Sequence, residues 1–344
     1  MASGLLERNQ IHKREDVLDL ITRTDEKQTP FTSRVRKGRT PHNTFMQWTV
    51  DAYDPPKLGG VVDGTDVSTF ENHAENRAML RTYLQTHRRT AKVSPDAQEV
   101  SDVAGLKGDE MSEAIAKKLE EIGRDIEATC LSDQEHQEDD GAENPRLGRG
   151  LGIWIRDTTN IAAQTLYEVP EAYRPNANQI VTTATANITE DDIQTLFQEI
   201  YDQTGMSGSY ALVCGSTLRR RITDMTRFAQ YADSDAAKFS RQFNYDGGGA
   251  RVRNSVSVYE GDYGTVEVVS SNFIGAGAPP ATFATDKGRG YLLDMSKVEL
   301  ASFKQPTVKP LPNLGGGERT YIEAKCALRI LNPLGLGQFN TALS

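Results

Sequence analysis

The chain has 344 residues, 37% of them hydrophobic, and a formal net charge of −9. That length carries two or three cores of ordinary size, and the acidity excludes a protein that coats nucleic acid by neutralising phosphates over its whole surface. No stretch approaches the roughly 18 consecutive apolar residues of a membrane span. Residues 1–10 lack a basic-then-apolar leader pattern, so secretion is not indicated. Cys130, Cys214 and Cys326, odd in number and far apart, argue for a reducing compartment and against a disulfide framework.

Residues 1–42 read as an arm. Val17, Leu18, Leu20 and Ile21 give residues 14–22 a short helical pattern, which Thr29-Pro30-Phe31 ends before the basic run Arg34, Arg36, Lys37 and Arg39. From Thr44 the period becomes two: Met46, Trp48 and Val50 alternate with Gln47, Thr49 and Asp51, the pattern of a half-buried strand. Residues 79–93, rich in Thr with Tyr83 and Leu84, read as one second strand. Between the two strands, residues 51–78 are rich in Gly, Pro, Asp and Asn with almost no periodicity. Such a length of connection points to a projecting two-stranded ribbon, which has little core of its own and needs a partner surface.

Met111, Ile115, Leu119, Ile122, Ile126 and Cys130 recur at steps of three and four, the signature of one long amphipathic helix. Lys117, Lys118, Glu120, Glu121, Arg124, Asp125 and Glu127 fill its other face. Residues 133–143 read as a solvated acidic loop, and Gly148, Gly150 and Gly152 turn the chain into Ile153-Trp154-Ile155. Thr189 with Asp192 three residues later predicts a capping box, and Ile193, Leu196, Phe197 and Ile200 the buried stripe of a helix ending at Gly205. Residues 210–214 read as a buried strand, after which Ser216 caps a helix bearing Leu218, Ile222, Met225 and Phe228. Residues 229–254 look like a loop. Val256 and Val258, then Val266 and Val268, flank Glu260-Gly261-Asp262-Tyr263-Gly264 as a hairpin. Residues 319–331 alternate without a fault, about twice the usual strand length. That strand returns the chain to the long helix, which needs a sheet to cover.

Chemical motifs are weak. Cys214 precedes a helix N-terminus near Arg219, Arg220 and Arg221, a setting that lowers a thiol pKa. No histidine lies close in sequence to serve as its base, and a buried strand end is the plainer reading. The five histidines show no metal spacing. The acidic run Asp133, Glu135, His136, Glu138, Asp139 and Asp140 has Glu138 where a calcium loop needs Gly. The glycine clusters lack the Gly-Lys-Ser/Thr of a phosphate loop.

The order of arm, ribbon, long helix, inserted domain, hairpin and returning strand resembles the major capsid proteins of tailed double-stranded DNA bacteriophages. Their fold is the Hong Kong 97-like shell fold, and the likeness is nearest a branch found in short-tailed phages. It is carried by Arg14-Glu15-Asp16-Val17, Asp19-Leu20-Ile21-Thr22 and Thr29-Pro30-Phe31, and by Arg124-Asp125-Ile126-Glu127 late in the helix. Gly152-Ile153-Trp154-Ile155, Val258-Tyr259, Asp262-Tyr263-Gly264 and Ala327-Leu328-Arg329-Ile330-Leu331-Asn332 complete it. Residues 133–175 and 229–254 match it poorly.

The resemblance implies an α+β subunit and a division of the chain. Residues 1–42 become the arm, 43–94 the projecting β-ribbon, and 95–175 the spine helix with the first part of a peripheral domain. Residues 176–290 become an axial domain at the capsomer centre, and 291–344 the returning strands of the peripheral domain. It further implies a structural protein without enzymatic role, cofactor or metal, forming hexamers and pentamers of an icosahedral shell in the virion. Such a shell would be assembled in the host cytoplasm, touch packaged DNA non-specifically on its inner face, and admit portal, scaffold or decoration proteins, with no membrane. Some relatives join Lys and Asn side chains between subunits; nothing at Lys57 or Asn332 specifies such a reaction. Candidate contacts between subunits are the basic residues Arg77, Arg81, Arg88 and Arg89, which would dock on acidic surface of a neighbour, and the apolar tip residues Leu58, Val61, Val62 and Phe70. Two rival readings are a non-viral, encapsulin-like shell and a hydrolase or transferase using Cys214.

Overall fold

The computed structural model describes residues 28–99, 109–156, 169–205, 208–229, 243–244, 251–252, 258–276 and 284–340. The expected arm helix at 14–22 lies outside them, as does most of the loop expected at 229–254. Sixteen strands are described. In the first half of the chain these are β1 (Arg36–Lys37), β2 (Phe45–Val50), β3 (Ala78–Tyr83), β4 (Gln85–Val93), β5 (Ile180–Val181) and β6 (Gly208–Cys214). Then come β7 (Phe243–Asn244), β8 (Arg251–Val252), β9 (Val258–Gly261), β10 (Gly264–Ser270), β11 (Gly275–Ala276) and β12 (Ala284–Thr285). The last are β13 (Gly290–Leu293), β14 (Val298–Leu311), β15 (Glu318–Ile330) and β16 (Leu336–Phe339).

Two sheets organise them. A four-stranded sheet runs β1-β14-β15-β4, and a six-stranded sheet runs β5-β16-β13-β6-β10-β9. In the first, β14, β15 and β4 are antiparallel neighbours, while the short β1 lies parallel to β14. In the second, β6 pairs parallel with β10 and antiparallel with β13. The ribbon pair β2-β3 stands apart as its own two-stranded sheet.

The expected single strand at 79–93 is divided. Leu84 separates β3, which pairs with β2, from β4, which pairs with β15. Leu84 itself is buried with Met46, Ala301 and Ala327, so an apolar anchor sits where the chain changes sheets. Period-two alternation runs through both pieces, which is why the sequence shows no break.

The long helix is Glu110–Cys130. Most of its apolar stripe lies on β4 and β15: Met111 packs with Ala91 and Val93, and Ile122 packs with Ile322 and Ala324, whereas Leu119, expected in the same stripe, is exposed. Fully burying each such side chain stabilises the fold by about 1.5–3 kcal/mol. Glu127, expected on the solvent face, is fully buried. The reason is tertiary: the segment around Phe31 covers that side of the helix, which periodicity alone leaves to water.

Capping chemistry shapes the second layer. The helix Glu190–Thr204 starts with the reciprocal pair expected, Thr189 N–H donating to Asp192 and Asp192 N–H to the Thr189 hydroxyl, and it stops at Gly205 with φ 65°. The helix Ser216–Ala229 is capped differently from expectation. Ser216 is already helical, and the carbonyl of Lys287 accepts the free N–H groups of Thr217 (3.1 Å) and Leu218 (3.2 Å). Ile193, Leu196, Phe197, Leu218 and Ile222 of these helices pack with Leu212, Val266, Val268 and Leu292 of the six-stranded sheet.

Between the two sheets lies the largest apolar cluster, with Trp154 at its centre among Phe31, Leu131, Ile153, Tyr291, Leu293, Val298, Leu328 and Ile330. The three glycines before Trp154 allow the close approach. A side chain at Gly150 would meet the Ser132 carbonyl oxygen, and one at Gly152 would meet the Asp133 carboxylate. Asp133 is held there by Arg289 at 2.6 Å, and Glu135 by Arg149 at 2.7 Å. The first part of the expected acidic loop is therefore internal ionic structure, and the exposed part is residues 138–145.

Candidate functional site

The ribbon is built in two parts, a stem anchored in the core and a tip without one. In the stem, the Trp48 indole N–H donates to the Ile330 carbonyl at 2.9 Å, and its ring meets Trp154 with centroids 5.7 Å apart. Leu80 is buried in the main cluster. At the neck, Arg77 donates from two nitrogens to Asp51, each at 3.2 Å, and Asn76 donates to Asp54 at 2.6 Å. The Tyr173 hydroxyl donates to the Asn76 carbonyl.

Beyond the neck the chain has neither strand nor helix over residues 51–77. A turn closes between the Val62 carbonyl and the Thr65 N–H at 3.2 Å, with Gly64 at φ 78° where a left-handed residue is required. Lys57 pairs with Glu71 across the tip. Both are largely exposed, so the pair holds shape more than it stabilises. Leu58 is 101% exposed, Phe70 89%, Val61 87% and Val62 78%, and Val67 and Tyr53 are exposed beside them. Isolated exposed apolar residues are ordinary, but a run of them on one projection marks an interaction surface.

The candidate basic residues separate. Arg88 and Arg89 are adjacent in β4, so the pleat sends them to opposite faces. Arg88 donates to Glu323 of β15 at 2.8 Å and lies over the Tyr321 ring. Arg89 makes a two-pronged pair with Asp125 of the long helix, both bonds 2.6 Å, with Glu121 at 3.8 Å. Hydrogen bonding to Arg88, and then the charges of Lys304 and Lys325, hold the Glu323 carboxyl below its usual range. These basic residues thus enter separate local pairings, with Arg88 and Arg89 matched to carboxylates of the same subunit. Arg81 shares β3 with Leu80 and is partly buried.

Two buried carboxylates, Glu127 and Glu299, fasten the segment that leads into β1 and β2. Glu127 accepts the backbone N–H groups of Phe31 (2.8 Å) and Thr32 (2.7 Å) and the Ser271 hydroxyl at 3.4 Å. Burial pushes its pKa up, against those donors. Glu299, also buried, pairs with Arg36 at 3.4 Å and with Arg329. The only trace of the Glu127 contact in the sequence is a glutamate one residue from an apolar stripe position, which is common on any helix.

Cys214 is fully buried in the second core, and burial pushes its thiol up to about 12, outweighing the nearby Arg219 charge. Arg219 instead donates to Ser270, and Arg221 to the Ile188 carbonyl at 2.9 Å. That geometry gives no nucleophile. Among the described residues no group of three or more His, Cys, Asp or Glu side chains gathers as a metal site, and no helix is long and apolar enough to cross a membrane.

A long helix lies on a long-stranded sheet, with a second mixed layer beside it and an apolar ribbon tip standing clear of the cores. The chain is similar over 99% of its length to the capsid subunit of cyanophage P-SCSP1u, covering 98% of that chain at TM-score 0.58 and 12% identity. The same coverage is reached against the capsid of cyanophage A-1(L), covering 100% of it at TM-score 0.59 and 13% identity. The SrpI encapsulin of Synechococcus elongatus PCC 7942 shares the fold more loosely, at TM-score 0.52 and 10% identity over 96% of this chain and 92% of that one. No curated protein matches the chain. The sequence profile of the SU10 major capsid protein family matches residues 5–342, and the chain belongs to that family. It is a structural subunit of a phage capsid shell with the Hong Kong 97-like fold, and its place is the virion.

Proposed function

We propose that copies of this subunit assemble as hexamers and pentamers into an icosahedral shell around double-stranded DNA, each copy clasping a neighbour with its ribbon tip. One observation carries the reading: the tip exposes Leu58, Val61, Val62, Val67 and Phe70 together, on a projection whose stem is fastened to the core. Burying five such side chains contributes on the order of 10 kcal/mol gross per contact, and association and ordering consume much of it. A weak contact repeated by every copy suits a lattice that must correct its errors while closing. The axial-domain assignment of residues 176–290 and the arm assignment of residues 1–42 belong to this same reading. So do assembly in the host cytoplasm and the portal, scaffold or decoration proteins that such a shell admits.

The net charge of −9 leaves the subunit without a general affinity for phosphate, so contact with the enclosed DNA is local and unspecific in sequence. Electron microscopy of purified particles, with their nucleic acid measured, tests the proposal. Closed shells with six-fold and five-fold capsomers and nuclease-protected double-stranded DNA are expected. Closed shells that never contain nucleic acid would favour the compartment reading instead.

A further inference from the structure

We propose that Cys130 and Cys326 are the halves of a latent disulfide that forms after folding and locks the end of the long helix to β15. The helix and the strand run in step. Met111 packs on Ala91 and Val93, which pair with Thr320 and Glu318 at the start of β15. Further along, Ile122 packs on Ile322 and Ala324. Four helical residues advance about 6 Å and two strand residues about 6.7 Å, so every step of four on the helix answers a step of two on the strand. Two such steps beyond Ile122 and Ile322 are Cys130 and Cys326. Both side chains are buried and line one small cavity, together with His87, Ile126 and Thr129. Cys214 lies in the other core cluster and is excluded from the pair.

Both cysteines are free in the structure. Burial pushes the Cys326 thiol up to about 12 and holds Cys130 well above its ordinary value, so both stay protonated in the closed subunit; a bridge forms only through local opening of the helix end, and a reducing interior returns it to thiols. Once the particle leaves such an interior, which is the setting the proposed function supplies, dissolved oxygen is the electron acceptor. Two S–H bonds break, one S–S bond forms, and two electrons and two protons convert oxygen to hydrogen peroxide. The bridge closes a loop from residue 130 to residue 326, which restricts the unfolded chain strongly.

The test treats purified particles with diamide, whose azo bond takes up the same two electrons and two protons. The particles are then unfolded in iodoacetamide and mapped by peptide mass, with and without prior reduction. The expected result is one bridge joining the Cys130 and Cys326 peptides, with Cys214 alkylated. The thermal midpoint of the dissociated subunit should rise by roughly 5 °C or more and return on reduction. Cys130→Ala and Cys326→Ala should each abolish the bridge and the rise. Three alkylated cysteines after oxidation, a bridge through Cys214 or between subunits, or a bridge without the rise would overturn the proposal. The mapping reads the subunit whatever the particle encloses, so a shell without DNA would not be mistaken for this failure.

Discussion

His87 shows how much one buried position can control. It lies on the helix-facing side of β4, in the cavity beside Cys130 and Cys326. Burial pushes its imidazole down from 6.5 to about 4, outweighing the attraction of Asp125. The unfolded chain therefore takes up a proton near pH 6.5 that the folded chain refuses until about 4. The stability tied to this group is complete above pH 6.5 and is lost as pH falls toward 4, by about 3 kcal/mol at 1.36 kcal/mol per unit. Replacing His87 by Gln should flatten urea-unfolding stability between those two values, and an unchanged slope would mean that the imidazole is solvated in the fold. The sequence showed His87 only as a histidine without metal spacing, and Glu127 only as a charge on a helix. Both gain their roles from partners far along the chain, which no local pattern records.

At the scale of elements, regular periods were legible and irregular joints were not. The long helix, the capped helix, the hairpin β9-β10 and the long β15 each repeat an apolar pattern over enough residues to be recognised. Two-residue strands such as β1 and β5 are too short to carry a period, and the exchange of sheets at Leu84 leaves the alternation intact. The pairing of Arg89 belongs to this scale, because it joins β4 to the long helix. Reversing its charge with Arg89→Glu sets three acidic side chains together with Asp125 and Glu121. The isolated subunit should lose about 1–3 kcal/mol, more than an exposed pair, because the native contact is two-pronged and half-buried. Adding Asp125→Arg should recover part of that loss in a double-mutant cycle. If Arg89→Glu leaves subunit stability intact and only assembly falls, the guanidinium serves a neighbour instead.

At the scale of the whole molecule, the structure separates what folds the subunit from what joins subunits. None of the apolar clusters includes a residue between Asp51 and Arg77, so the tip adds nothing to the cores. Its own contacts are local, among them the Val62–Thr65 turn, the Lys57–Glu71 pair and the neck bonds of Asp51, Asp54, Asn76 and Arg77. Removing residues 55–75 and closing the gap with a short Gly-containing turn keeps that neck, including the Asn76 carbonyl that receives Tyr173. The change in closure entropy is small, about 0.6 kcal/mol per doubling of loop length. The stem keeps its six residue pairs and the Trp48 anchor. The shortened chain should therefore melt cooperatively within a few degrees of the parent subunit. What it loses is the apolar surface of Leu58, Val61, Val62, Val67 and Phe70, at about 25 cal/mol per Å2 in each contact that buries it. Sedimentation should then show particles of capsomer size or smaller under conditions where the parent chain closes shells. A shortened chain that fails to fold would make the tip part of the subunit's own core. One that still closes shells would show that the ribbon is not the clasp, and the contact between copies would then have to be sought on the exposed far end of β14 and the turn that follows it, where Phe303, Val308, Leu311 and Leu314 stand open to solvent.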